Sequence, residues 1–153
     1  MHRYPYVVMK TESVSGGWMK AELLYEEKLK LLPTVDIGPV PEGEMVNFPF
    51  AGRVSGPKIS GKLEGVDYVV IRPDGVGLLH VHGVITTDKG DRISIEVSAV
   101  ATDSKKKGLN DIKGVVTFRT SVKKYAWLNS TQGVEEGYAD MKLGKINVRV
   151  YTI

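Results

Sequence analysis

Residues 66–101, VDYVVIRPDGVGLLHVHGVITTDKGDRISIEVSAVA, carry the clearest structural signal of this chain. Three runs rich in valine, isoleucine and threonine have the composition of strands: Val66–Arg72, Leu78–Thr87 and Arg92–Ala101. The segments between them, Pro73-Asp74-Gly75 and Asp88-Lys89-Gly90, have the residues that tight hairpin turns require. Consecutive hairpins of this kind predict an antiparallel meander.

The strand pattern continues on both sides of this meander. Toward the C-terminus, similar runs are Val115–Ser121, Val134–Lys142 and Ile146–Ile153. Gly52–Gly61 lies in strand context, so its glycines indicate bulges or tight bends rather than a phosphate-binding loop. Pro33–Gly43, with three prolines and two glycines, predicts an irregular connection.

Lys20–Leu32, KAELLYEEKLKLL, is ambiguous because its residues are strong helix formers. The alternation nevertheless favours a strand. Its apolar face carries Leu23, Tyr25, Leu29 and Leu31, and its charged face carries Glu26, Lys28 and Lys30. We therefore predict a long, half-exposed strand here, preceded by a turn at Ser13–Gly17.

The chain of 153 residues has the length of one domain and shows no internal repeat or linker. We predict a single all-β domain over residues 1–153, in which many short antiparallel strands close into a barrel or pack as a sandwich.

Composition excludes several classes of protein. There is no cysteine, so no disulfide, thiolate nucleophile or cysteine metal site exists. The net charge is only +3, and the basic run Lys105-Lys106-Lys107 is flanked by acids, which argues against a nucleic-acid partner. The N-terminus lacks the apolar run of a signal peptide, and no apolar run is long enough to span a membrane. We expect a cytoplasmic protein without a cofactor.

A series of motifs resembles the domain-of-unknown-function family 3237 from about Glu22 to the C-terminus. The motifs are Gly52-Arg53-Val54-Ser55-Gly56, Gly65-Val66-Asp67-Tyr68, Arg72-Pro73-Asp74-Gly75, Thr86-Thr87-Asp88-Lys89-Gly90, Phe118-Arg119-Thr120 and Tyr125-Ala126-Trp127-Leu128-Asn129. The resemblance implies an antiparallel β-barrel of lipocalin-like shape, and it implies no particular activity. The chain departs from the family pattern at Glu64-Gly65 and Tyr68, and by its two histidines on the third strand. Relative to that pattern, residues 1–20 are expected to be an N-terminal addition.

His80 and His82 are two positions apart in a predicted strand, so they point to one face. If the next strand pairs as a hairpin, its polar face places Glu96 beside them. Two histidines and a carboxylate suit a divalent metal, and H-x-H on a strand is similar to the cupin metal motif. The carboxylate expected shortly afterwards is missing, with Ile85 and Thr86 there instead. We therefore predict no metal, and either a structural pair or one general acid or base.

Four more polar or aromatic residues are candidates to line a ligand site. Asp67 shares a strand face with aliphatic residues, so it is either paired with Arg53 or Arg119 or turned toward a ligand. Arg119 itself would suit a ligand carboxylate at the barrel mouth. Trp127 either plugs the barrel or forms a stacking wall, with Asn129 as an orienting amide in a loop or short helical turn.

The function expected from these residues is binding of a small organic molecule, anionic or aromatic, in the barrel or at its mouth. The candidate lining is Asp67, His80, His82, Arg119, Trp127 and Asn129. One alternative is an isomerase, cyclase or lyase with Asp67 or His82 as base. A second alternative is a structural or homo-oligomer-forming protein with a filled barrel, since fold alone does not decide function.

Overall fold

The computed structural model of the protein describes residues 6–10 and 18–153. This part of the chain contains ten strands and one 3-10 helix, Lys123–Ser130. The strands are β1 (Tyr6–Lys10), β2 (Trp18–Leu31), β3 (Val35–Val40), β4 (Gly43–Ser55), β5 (Ser60–Ile71), β6 (Gly77–Thr87), β7 (Arg92–Asp103), β8 (Leu109–Arg119), β9 (Gly133–Asp140) and β10 (Lys145–Thr152). The predicted turn at Ser13–Gly17 lies outside the described residues.

Eight of the strands form a closed antiparallel barrel. Their order around the barrel is β2, β10, β9, β8, β7, β6, β5 and β4. The barrel closes because Glu26–Leu31 of β2 pair with Phe50–Ser55 of β4. β1 extends the sheet beside β2, and β3 extends it beside β4. The predicted all-β barrel is confirmed. In the two predicted turns, Gly75 and Gly90 have φ values of 88° and 89°, which favour glycine.

Strand alternation divides inward from outward side chains. On β7, the predicted apolar face of Ile93, Ile95, Val97 and Ala99 is buried in the core. Gly65 of β5 lies opposite Gly83 of β6, and a Cβ at Gly65 would lie 2.3 Å from the His82 carbonyl oxygen. The two strands therefore approach closely at a point where only glycine fits.

The prediction that Pro33–Gly43 is irregular is wrong for Val35–Val40, which form β3. Gly38, with φ of 98°, accommodates a register shift between Asp36 and Gly38. Pro39 is tolerated because, among the described strands, β3 pairs with β4 alone, and an edge strand can lack one ladder donor. Proline and glycine here mark an edge strand with a bulge rather than a loop.

The two ends of the barrel differ. The turns after β5, β7 and β9 surround one end, which we call the open end. The 3-10 helix between β8 and β9 covers the other, which we call the capped end, and it buries Tyr125 and Leu128. Within the described ranges, no helix has the length and apolar character needed to cross a bilayer.

Candidate functional site

A cavity of about 180 Å³ lies in the open end of the barrel, and we call it the mouth. Its wall is mainly apolar and is formed by Leu31, Phe48, Asp67, Val69, Ile71, Gly75, Gly77, Leu79, Ala101, Asn110, Ile112, Ala139, Met141 and Ile146. The Asp67 carboxyl and the Asn110 amide are its polar side chains, and no described lining residue is basic. An apolar wall with a few polar groups is typical of small-molecule sites.

Asp67 projects from β5 into the barrel, with only 7% of its surface exposed. Its Oδ1 accepts a hydrogen bond from the His80 backbone N–H at 3.2 Å. Burial raises the pKa of the Asp67 carboxyl to about 7, although this hydrogen bond acts in the opposite direction. The carboxyl is therefore a hydrogen-bond donor or acceptor near neutral pH.

The prediction that Asp67 pairs with Arg53 or Arg119 is wrong. Arg53 lies on the outer face of β4 and forms an exposed ion pair with Asp88 at 2.8 Å. Arg119 is exposed at the end of β8, beside the buried Phe118. Both arginines occupy outward positions of the strand alternation, so neither can reach a carboxyl inside the barrel.

Below the mouth, a second cavity of about 30 Å³ is lined by two further carboxyl groups, those of Glu27 and Glu135, and by Asp67. The side chains of Leu79, Ile112 and Ile146 border both cavities, so the smaller space continues the mouth inward. Burial, followed by the charge of Asp67, raises the pKa of Glu135 to about 8. Burial and the charge of Glu135 raise the pKa of Glu27 well above its ordinary value.

The hydroxyl of Tyr25 and Oε2 of Glu27 are buried without a hydrogen-bond partner among the described protein atoms. Burial, with the charges of Glu27 and Glu135, also raises the pKa of Tyr25. Unpartnered buried polar groups cost stability, and titratable groups with shifted pKa values cluster at functional sites. The barrel interior is therefore the chemically distinctive region of this chain.

Glu27 and Glu135 were missed in the sequence analysis. Position 27 falls on the same strand face as Tyr25 and Leu29, so alternation alone could have identified Glu27 as inward. Glu135 has no comparable signal, because its inward neighbours along β9 are Gly137 and Ala139 rather than large apolar residues. Its burial becomes evident only when the barrel is closed.

His80 and His82 point outward from β6 and are exposed. Their Nε2 atoms are 2.9 Å apart, and Glu96 of β7 lies beside them as the hairpin register predicts. The three side chains bring their donor atoms within 4.8 Å of one another, so they could hold a metal ion. The histidines thus lie on the outer face of the barrel wall, whereas the mouth lies inside it. That they line a ligand site stays a prediction, and neither of them contacts the mouth.

The remaining candidates lie away from Asp67. Trp127 is on the 3-10 helix at the capped end, 39% exposed, with the Lys58 ammonium 5.2 Å from its ring centroid. Asn129 accepts the Thr120 N–H at 2.8 Å and donates to the Thr120 carbonyl at 3.0 Å. These contacts join the helix to the end of β8. Of the six candidate residues, the structure places only Asp67 at the mouth.

A larger concavity of about 590 Å³ lies on the outer surface of β2, β8, β9 and β10. Its side chains carry both charges, with Glu26, Asp111 and Glu136 near Lys28 and Arg149. It is a solvated groove with mixed charges on the barrel wall. It lacks the apolar enclosure that the mouth offers.

Comparisons with known proteins identify the fold family. A similar solved structure is a protein of unknown function from Clostridium acetobutylicum, with a TM-score of 0.77 and 23% identity over 86% of this chain and 97% of that one. A beta-barrel like protein from Acinetobacter baumannii has a TM-score of 0.77 and 18% identity over 99% of this chain and 98% of that one. An enzyme from Penicillium herquei has a TM-score of 0.60 and 19% identity over 86% of this chain and 94% of that one. At these identities the likeness concerns the fold alone. No curated protein matches the sequence. The model of the family described as "Protein of unknown function (DUF3237)" matches residues 19–153, and the chain belongs to that family.

Proposed function

We propose that this barrel binds a small, largely apolar and uncharged organic molecule in its mouth. The observation that carries the proposal is the cavity of about 180 Å³, whose apolar wall includes one buried carboxyl group, that of Asp67. A hydroxyl, carbonyl or amide of the ligand would exchange a hydrogen bond with Asp67. Apolar contacts would supply affinity, and the carboxyl would orient the molecule.

The charge of the interior favours an uncharged ligand over the anionic one that Arg119 suggested. Three carboxyl groups line the mouth and the cavity beneath it, and no described lining side chain carries a positive charge. A carboxylate ligand would be desolvated next to Asp67 without a counter-ion, which is strongly unfavourable. An aromatic or alicyclic molecule with a neutral polar group fits both the shape and the charge.

A second candidate function is proton-transfer catalysis of the isomerase, cyclase or lyase type. It is favoured by the position of Asp67, whose carboxyl borders both the mouth and the inner cavity. A general acid or base must lie within hydrogen-bond reach of the bound molecule, and a buried carboxyl at the inner wall meets that condition. A structurally similar protein is described as an enzyme, so this scaffold accommodates catalysis.

The binding proposal is tested with a panel of neutral bicyclic aromatics, namely naphthol, indole and coumarin, each compared with its carboxylate derivative. At about 100-fold excess over its Kd, a bound compound stabilises the native state by about 2.7 kcal/mol, which raises the Tm by several degrees. We expect at least one neutral compound to do so and its carboxylate to bind more weakly. A panel in which no neutral compound raises the Tm, or in which only carboxylates do, would contradict the proposal.

The role of Asp67 is tested with the Asp67→Asn variant, and Glu64→Gln on the outward face of the same strand is the matched control. At pH 8, where the Asp67 carboxyl is mostly ionised, Asp67→Asn should reduce the difference in affinity between the neutral compound and its carboxylate, because the repelling charge is removed. Glu64→Gln should leave the preference unchanged. If the catalytic candidate is correct, Asp67→Asn abolishes turnover of a bound compound that the wild type converts, while binding remains.

A further inference from the structure

The outer face of the β6–β7 hairpin brings three metal-ligating side chains together, and this cluster lies outside the proposed ligand site. The Nε2 atoms of His80 and His82 are 2.9 Å apart. Oε1 of Glu96 is 3.5 Å from the His80 Nε2 and 3.8 Å from the His82 Nε2. Three donor atoms therefore converge on one point above the barrel wall.

The backbone holds these side chains in this arrangement. His82 is the register partner of Glu96, and His80 is the register partner of Ser98, one step along the same face. The turn at Asp88–Gly90 fixes this register, with the Gly90 N–H donating to the Thr87 carbonyl at 2.8 Å. Both strands have a bonded neighbour on each side, so the site stands on a rigid part of the barrel.

The donor spacing suits one transition-metal ion. Donors about 2.0–2.2 Å from a tetrahedral zinc ion lie roughly 3.3–3.6 Å from one another. The spacings of 3.5 and 3.8 Å from Glu96 are close to this range, and the pair at 2.9 Å requires only a small widening. Two imidazoles and one carboxylate form a ligand set that zinc uses when it keeps a coordination position for water.

We propose that His80, His82 and Glu96 form a divalent transition-metal site, best suited to zinc, on the outside of the barrel. The side chains are 42–55% exposed, so an ion can enter and its remaining coordination position faces solvent. The carboxylate is that of Glu96 on the neighbouring strand, as the hairpin register predicts, and it takes the place of the carboxylate that the cupin motif carries later in the same strand. The competing arrangement is a direct hydrogen bond between the two imidazoles, with one Nε2–H donating to the other Nε2.

The test is zinc titration of the full-length protein without an affinity tag, after removal of bound metal with a chelator. We expect one zinc ion per chain with a micromolar Kd, measured by calorimetry. Removing a ligand should weaken binding by roughly tenfold or more, which is at least the effect of removing an outer-shell partner. His80→Ala, His82→Ala and Glu96→Gln should each show this loss. Cobalt in place of zinc should give a visible absorption band in the wild type and a weaker one, at the same cobalt concentration, in these three variants.

Two matched variants control for background binding. His2→Ala removes the third histidine of the chain, and Glu136→Gln removes an exposed glutamate on β9. Both should bind zinc as the wild type does. The Tm of the His80, His82, Glu96 and Glu136 variants without metal should stay near the wild-type value, because these four side chains are largely exposed. Absence of stoichiometric binding, or a loss in His2→Ala equal to that in His82→Ala, would overturn the proposal, and an unchanged Glu96→Gln would overturn the three-ligand site.

Discussion

The open end and the capped end of the barrel differ in how their interiors are filled. At the capped end, the 3-10 helix places Tyr125 and Leu128 inside the barrel, with 5% and 0% of their surfaces exposed. At the open end, small residues such as Gly77 and Ala101 leave a cavity of about 180 Å³ above Asp67. The capped end therefore has the packing of a core, whereas the open end has apolar space and a buried carboxyl that packing alone does not require. We infer that one end serves stability and the other serves binding.

The largest expected effect is at the capped end. Leu128→Ala removes a fully buried side chain and should lower the free energy of unfolding by about 2–5 kcal/mol. Trp127→Ala, on the same helix but 39% exposed, is the control and should cost much less. Denaturant unfolding measures both. Under conditions where the variants are folded, the affinity for a neutral aromatic compound should not change, and a loss of binding in Leu128→Ala would show that the two ends are not independent.

The next effect concerns the carboxyl groups beneath the mouth. Folded Glu135 keeps its proton up to pH about 8, whereas a glutamate in the unfolded chain releases it near pH 4.3. Its contribution to stability is therefore complete below about pH 4.3 and is lost as the pH rises to about 8. We expect this loss to be on the order of 5 kcal/mol, since one pKa unit corresponds to about 1.4 kcal/mol.

Glu135→Gln removes this titration while nearly keeping the shape of the side chain. The variant should be more stable than the wild type at pH 8, and the difference should shrink toward pH 4.3. Urea unfolding at a series of pH values gives the two curves. Parallel curves for variant and wild type would mean that Glu135 titrates in the folded protein as it does in the unfolded chain.

A pair of asparagines gives a smaller and more selective comparison. Asn129 makes two hydrogen bonds with the backbone of Thr120 at the capped end, whereas Asn110 lines the mouth. Asn129→Ala should lower stability by about 1–2 kcal/mol and leave ligand affinity unchanged. Asn110→Ala should weaken binding of a neutral compound several-fold, with a change in stability within about 0.5 kcal/mol. Thermal unfolding and ligand titration of both variants measure these effects. A loss of ligand affinity in Asn129→Ala, or a loss of stability alone in Asn110→Ala, would contradict the assignment.

Much of the barrel could be predicted because local signals agreed with the final structure. The alternation in β7 and the turns at Gly75 and Gly90 appear in the sequence as they do in the fold. The helix-forming residues of Lys20–Leu32 nevertheless form most of β2, as alternation predicted, since β2 is paired with β10 on one side and β4 on the other. Pairing and burial override a helix propensity of a few tenths of a kcal/mol per residue.

The site was predicted less well because it depends on which face of each strand is enclosed. Asp67 was identified as a polar residue on an aliphatic face, and it lies at the mouth. His80, His82 and Arg119 lie on outward positions, which alternation cannot distinguish from inward ones until the barrel is closed. Glu135 joins Asp67 from a strand about 70 residues away, a separation across which local sequence patterns carry no information.

The claim that the open end is the ligand site is tested most directly by filling it. Ala101 faces the mouth from β7, and the next residue, Thr102, is exposed on the outer face of the same strand. Calorimetric titration with the neutral compound that binds the wild type should show affinity reduced by at least about tenfold, or 1.4 kcal/mol, in Ala101→Phe and unchanged in Thr102→Phe. Equal affinity in the wild type and a folded Ala101→Phe would contradict the account, because the compound would then bind somewhere other than the mouth.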